Sequence, residues 1–408
     1  MKRPLISLSL VTFVTVGGFA LPVHVYGEDF SCGSPNPSLE GPAIAPDAVC
    51  AVAPRVVGPI KNPTMEKPDR RAWKLFMENN RPFNSGKQYP LWRSWPEQAE
   101  VYPAAPNPLD PPQWGYIADI EPVFRGRPSK QHEIRQTKTD DVACNVFGTS
   151  NAEEVRINKH AFNYIIANNL WFVQGKAERF KTGESVDFPT GAREVKANWI
   201  LLEKAEQALG HKINTNTYYW QKDSKGQTWL LIAMHMMDKS IPNWLWATFE
   251  HKDNPCFNKY LKAQDDFGVN ASGNVSNQLT ALFKKSGINR KPWSNYRLAG
   301  AQTEFTDATG RPIVLGNSVT EFGFQTTASC MTCHARATTD ATGAGFLSVF
   351  NADKQSYNGT PLPGWFFSVF TPKPQLQYLP LDFLWSVGLC PNAVGTTQQN
   401  CPLPVNDN

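Results

Sequence analysis

The chain has 408 residues, with 40 Lys and Arg against 36 Asp and Glu, 41% hydrophobic residues, 13 Trp, 33 Pro and a mean hydropathy of −0.40. That apolar share and a net charge of only +4 exclude a disordered chain, and the length suffices for two or three domains or one large one with long loops. A pI near 8.5 with no Lys/Arg cluster longer than three residues excludes nucleic acid as a partner, because phosphate binding needs charge gathered on one face.

Residues 1–27 read as a secretory signal peptide. Lys2 and Arg3 precede an apolar run from Leu5 to about Leu21, and Val25-Tyr26-Gly27 puts small residues at the −3 and −1 positions of a cut before Glu28. An uncleaved anchor is the rival reading, but Gly17-Gly18 inside the run and its processing-like end favour cleavage. Nothing downstream approaches 18 uninterrupted apolar residues. The expectation is a chain exported to the periplasm or secreted, with no stable membrane span after processing.

Residues 28–112 form a Pro-rich N-terminal region, with seven prolines between 35 and 63. It holds one short amphipathic helix over 69–77, with Trp73, Phe76 and Met77 on one side. The next region, 113–300, reads as an α+β body. Glu154–Ile157 alternates like a strand, Asn158 is an N-cap, and Phe162, Ile165, Ile166 and Leu170 mark the buried face of a helix. Further β-like runs follow at 194–201, 217–221, 228–237 and 244–251, the last two as a hairpin. Five such runs predict an antiparallel sheet or sandwich, loop-rich and stapled by disulfides.

The C-terminal region, 301–408, carries the strongest chemical signal, Ser329-Cys330-Met331-Thr332-Cys333-His334, on a predicted helical excursion. Two thiols separated by two residues can add to the two vinyl groups of one haem, and the adjacent histidine then lies under the iron as its proximal ligand. Chance supplies this pattern in about three per thousand chains with 8 Cys and 7 His in 408 residues. A dithiol redox motif would want a thioredoxin-like βαβ context, and a zinc site a second Cys/His pair; neither is evident. The motif occurs once, which excludes a multihaem conduit. The expected cofactor is therefore one covalent haem c on Cys330, Cys333 and His334, with His334 binding the metal.

The remaining cysteines, Cys32, Cys50, Cys144, Cys256, Cys390 and Cys401, are even in number and scattered, which in an exported chain reads as three disulfides. Of the fifteen pairings, short loops favour Cys32 with Cys50 and Cys390 with Cys401, leaving Cys144 with Cys256.

The sixth iron position is open in the sequence. After His334 there is neither Met nor His, so a ligand must come from upstream, from a weaker group, from water, or not at all. His235 is the first candidate, then His251, Met234, Met236 and Met237. A near-symmetric hairpin would put His235 opposite residue 244 or 245 and His251 roughly 20 Å away along the strand, so that only one of them reaches the iron. The competing readings are a core histidine bonded to a carbonyl and methionines as core filler. Glu194 and Lys196 share a strand face and are an ion-pair candidate beside the haem.

Ala72–Phe76, Phe188–Trp199, Trp244–Asn254, Ser329–His334 and Leu381–Leu384 together resemble a family of exported bacterial mono-haem c-type proteins, over most of residues 68–388. The resemblance implies haem c at Cys330, Cys333 and His334 and an export route, but no substrate. Family members often carry a methionine in a segment resembling Leu315–Glu321, where this chain has Thr320 or its neighbours. The function expected is single-electron transfer with a redox partner protein or a small-molecule oxidant or reductant. The alternative is a haem enzyme of peroxidase or oxygenase type with an open or weakly ligated sixth position.

Overall fold

The computed structural model describes residues 67–83, 89–115, 125–126, 139–269, 274–348, 358–368 and 373–396. The expected signal peptide and the Cys32/Cys50 pair lie outside these residues. Seven strands form one open antiparallel sheet: β1 (Arg125–Gly126), β2 (Ala152–Ile157), β3 (Arg193–Leu201), β4 (Trp220–Lys222), β5 (Thr228–Asp238), β6 (Leu245–His251) and β7 (Tyr296–Gln302). Their order is β1-β2-β3-β5-β6-β7, with β4 pairing the first residues of β5. The fold class is therefore α+β with an antiparallel body, as the five strand-like runs predict. The longer helices are α1 (Pro68–Asn79), α2 (Val142–Thr149), α3 (Lys159–Ala167), α4 (Val173–Thr182), α5 (Leu202–Leu209) and α6 (Asn277–Ser286). No described helix is long and apolar enough to cross a membrane.

Strand periodicity separates the two faces of the sheet. Val195, Ala197 and Trp199 of β3, Met234 and Met236 of β5, and Leu245, Ala247 and Phe249 of β6 share one apolar cluster. Helix α1 lies on them. Pro68 sits in its first turn, where a missing N–H costs nothing, and Ala72, Trp73, Phe76 and Met77 are fully buried. Trp73 and Phe76 meet the Phe249 ring at 5.0 and 4.5 Å. Beside them Glu154 of β2 accepts from Arg156 at 2.7 Å, Arg93 at 3.2 Å and Trp199 Nε1 at 3.0 Å, all inside the protein.

Two expectations from the strand pattern change. The run at 217–221 is a 3-10 turn (Thr215–Thr217) capped by the Asn214 side chain, followed by the short β4. The β5–β6 hairpin pairs Asp238 with Leu245 and His235 with Thr248. His251 therefore lies three residues past the partner of His235, roughly 10 Å along the strand rather than 20 Å. Strand β7 was not legible: the small run Ala299-Gly300-Ala301 and the buried polar Gln302 break the alternation that Tyr296-Arg297-Leu298 begins. A Cβ at Gly300 would stand 2.6 Å from Leu315 Cδ1, so the glycine admits the segment that crosses it.

Asn158 caps α3 as predicted, its side chain accepting from Ala161 N–H, although the helix stops at Ala167. Cys144 on α2 is bonded to Cys256, the expected pair. Phe322 packs on that bridge and against Gly148, where a Cβ would come within 2.2 Å of the ring. Cys390 is also in a disulfide, whose other half lies outside the described residues.

Candidate functional site

Cys330–His334 is one helical turn, α7. Ser329 caps it by accepting from Thr332 N–H, and Gln302 at the end of β7 bonds both Ser329 Oγ (3.0 Å) and the Met331 N–H (3.3 Å), which docks the turn on the sheet. Positions i, i+3 and i+4 bring Cys330, Cys333 and His334 to one helical face. Neither cysteine is in a disulfide. Burial, reinforced by Glu321 and Cys333, pushes the Cys330 thiol well above its ordinary pKa, so it stays an S–H.

His334 is oriented from behind. Its Nδ1 lies 2.8 Å from the Phe383 carbonyl. A carbonyl only accepts, so Nδ1 carries the proton and Nε2 keeps the lone pair. Burial, with Lys196 nearby, lowers the imidazole to about 4 and keeps it neutral near pH 7, the form that binds metal. The Trp246 ring stands 4.6 Å from the imidazole and Phe383 closes on Trp246 at 5.8 Å. The backbone that supplies this carbonyl is strained: Asp382 and Phe383 have φ of 48° and 73°. Such a conformation costs of order 1–3 kcal/mol for a non-glycine residue and persists only where its surroundings impose it. Here they do. The Asp382 carboxylate accepts from Lys239 Nζ at 2.8 Å, Phe188 N–H at 2.7 Å and Trp244 Nε1 at 3.2 Å.

The sheet face on this side is polar at its centre. Lys196, His235 and Thr248 are register neighbours on β3, β5 and β6, flanked by Asn198 and Glu250. Residues 315–321 strap across them: Asn317 Nδ2 donates to Thr248 Oγ1 (2.8 Å) and Ser318 N–H to Glu250 (2.8 Å). Burial raises the Glu250 carboxyl above its usual range. Lys196 pairs across the strands with Glu153 at 3.0 Å, not with Glu194, whose carboxyl accepts from Ser386 Oγ at 2.6 Å.

Donors and acceptors in this band run one way. Asn151 gives its amide protons to the Phe147 and Gly148 carbonyls, so its Oδ1 accepts from Asn198 Nδ2 (3.0 Å). Asn198 Oδ1 then accepts from Thr320 Oγ1 (3.0 Å), whose single proton is thereby used. Thr320 can only accept from His235 at 2.9 Å, which fixes His235 as the Nε2–H tautomer. Burial first, then Lys196 and His334, holds its pKa down to about 3.

The candidate ligands thus part company. His235 lies in the band, with Nε2 committed to Thr320. His251 is a packed core histidine: Nε2 bonds the Thr217 carbonyl (3.0 Å), Nδ1 accepts from Asp253 N–H (3.3 Å), and Tyr218 stacks on it at 3.5 Å. Met234 and Met236 belong to the opposite face, where Asn79 donates to Met236 Sδ. Met237 shares a cluster with Trp246, Cys330 and Met331.

No family model matches the chain, and neither a curated protein nor a solved structure matches it. The site therefore rests on its own geometry. Two thiols on one helical face with an imidazole whose Nε2 is a lone pair suit a covalently held haem. A chelated ion would need converging ligands, and among the described residues no three His, Cys, Asp or Glu side chains gather to hold one.

Proposed function

We propose that the protein is an exported, periplasmic mono-haem c-type cytochrome that holds haem through Cys330 and Cys333, uses His334 as proximal ligand, and passes single electrons to or from a redox partner. The observation that carries this reading is the Nδ1–H of His334 donated to the Phe383 carbonyl, which leaves Nε2 as the ligating atom beside two thiols on the same helical face. Attachment adds each S–H across a vinyl group, so sulfur provides both electrons of the new C–S bond and no oxidant is consumed. Haem, once bound, supplies a reversible one-electron change at iron. The chain keeps the imidazole neutral, packs Trp246 against it and bonds it to the Phe383 carbonyl. The signal-peptide pattern and the family resemblance support the export route.

The test is expression in a host competent in haem attachment. Haem should stay with the chain after acid-acetone extraction. Cys330→Ala should keep one linkage and shift the pyridine haemochrome band, and Cys330→Ala with Cys333→Ala should leave no covalent haem. A colourless protein with Cys330 bridged to Cys333 would overturn the reading.

A second reading, a haem enzyme of peroxidase or oxygenase type, is favoured by one observation. Both nitrogens of His251 are already bonded, and Met234 and Met236 lie on the far face, which removes three of the five candidates for the sixth position and leaves Met237 and the Nδ1 of His235. Carbon monoxide binding to the reduced protein selects this reading; a sharp low-spin α band with no response to carbon monoxide rejects it.

A further inference from the structure

We infer that the buried Lys239–Asp382 pair is the positioning device that sets the basicity of His334, and through it the reduction potential of the iron; this rests on the haem reading above. The chain of contacts is continuous. Asp382 receives protons at both oxygens: Lys239 Nζ reaches each at 2.8 Å, Trp244 Nε1 reaches Oδ1, and Phe188 N–H reaches Oδ2. Lys239 is itself anchored by the Pro242 carbonyl at 3.0 Å and by Asp187 at 2.9 Å. These bonds converge on a residue whose backbone, with that of Phe383, is left-handed. The Leu381–Leu384 backbone bond and the Phe383 ring contacts hold the turn as a whole, and the carboxylate's bonds fix its left-handed backbone; a relaxed 382–383 segment carries the Phe383 carbonyl away from Nδ1. Trp244, also left-handed at φ 60°, is held to the same carboxylate, so one anion fixes two strained segments.

The consequence is electronic. A strong Nδ1–H···O=C bond gives the imidazole imidazolate character, which stabilises ferric over ferrous iron; loosening it does the reverse. Asp382→Asn keeps the size of the side chain and removes its charge. The expected result is unchanged haem retention after acid-acetone extraction, with the ferrous form favoured several-fold to tenfold more at a fixed solution potential. Tenfold is a rise of 59 mV for one electron. The ferric low-spin electron paramagnetic resonance values should move with it. Lys239→Met, which takes the cation from Asp382, should move the potential in the same direction, whereas Lys239→Arg, which keeps a cation there, should leave it near the wild-type value. Should Asp382→Asn fail to accumulate, Trp244→Phe, which removes one hydrogen bond of four, should move the potential the same way by less. A stability loss with potential and resonance values unchanged overturns the inference and leaves the haem reading standing. A wild-type chain that gives up all its haem to acid-acetone overturns both.

Discussion

On one face of the sheet, Trp73, Phe76, Trp199, Met234, Met236 and Phe249 share one apolar cluster beside a sealed Arg93–Glu154–Arg156 group. On the other, residues next to these in sequence, Lys196, Asn198, His235, Thr248 and Glu250, make a hydrogen-bonded band under the 315–321 strap and beside the thiol-bearing turn. The same strands supply both, because successive side chains point to opposite faces. Strand rigidity is set by the apolar side, while the chemistry of the polar side can vary residue by residue without emptying the core. The lesson is that a substitution should be judged by its face and not by its strand.

The largest expected effect tests the sealed side. Glu154→Gln leaves Arg93 and Arg156 buried without a counter-charge, and chemical denaturation should show a loss of about 3–5 kcal/mol, with the absorption spectrum of the folded fraction unchanged. A loss below about 1 kcal/mol, or an altered spectrum, would break the division between faces.

The next effect concerns pH. Burial, opposed by the Ser386 bond and Lys196, raises Glu194 to about 7 from an ordinary 4.5. The folded state therefore prefers the protonated acid. Stability from this group is complete below pH 4.5 and is lost as pH rises to about 7, by about 3 kcal/mol in all. Glu194→Gln should flatten that slope in a series of denaturation curves. His251, held down to about 3 chiefly by burial, acts in the opposite sense, its contribution being present above pH 6.5 and lost as pH falls.

The smallest effect sharpens the comparison on the polar side. Thr320→Val strands the Nε2–H of His235 and the Oδ1 of Asn198, at a cost of about 1–3 kcal/mol, and frees His235 to change tautomer. Nitrogen-15 chemical shifts of the His235 ring should move toward tautomer exchange; a ring still fixed as Nε2–H would show that Thr320 does not impose it.

Much of the sheet was legible because β2 and β3 alternate and β5 and β6 are runs rich in aromatic and β-branched residues, and α1 because its aromatic residues recur at helical spacing. The cysteine pair, its histidine and the Asn158 cap were legible because identity and spacing alone encode them. The register of the β5–β6 hairpin was not: Lys239–Trp244 is a loop whose last residue, Trp244, turns left-handed, and no local signal announces that in a tryptophan. The Phe383 acceptor could not be read either, since it is a backbone carbonyl and any residue offers one. The band around His235 joins residues separated by 85 and 122 positions, so only the fold assembles its direction of hydrogen bonding.

The Cys144–Cys256 bond has a topological consequence. It closes the chain, over a sequence separation of 112, into a ring that contains β2 to β6, whereas β7 and the thiol-bearing turn follow it. A protease that cuts one peptide bond inside the ring opens a loop without releasing a fragment. One that cuts between β6 and β7 beyond Cys256 leaves β7 on a piece that the Cys144–Cys256 bond does not retain, held to its neighbour by hydrogen bonds and by the packing of Tyr296 and Leu298, and with it Gln302, the residue that docks α7 on the sheet. Nicked molecules of these two kinds are told apart by running the same digest with and without reductant.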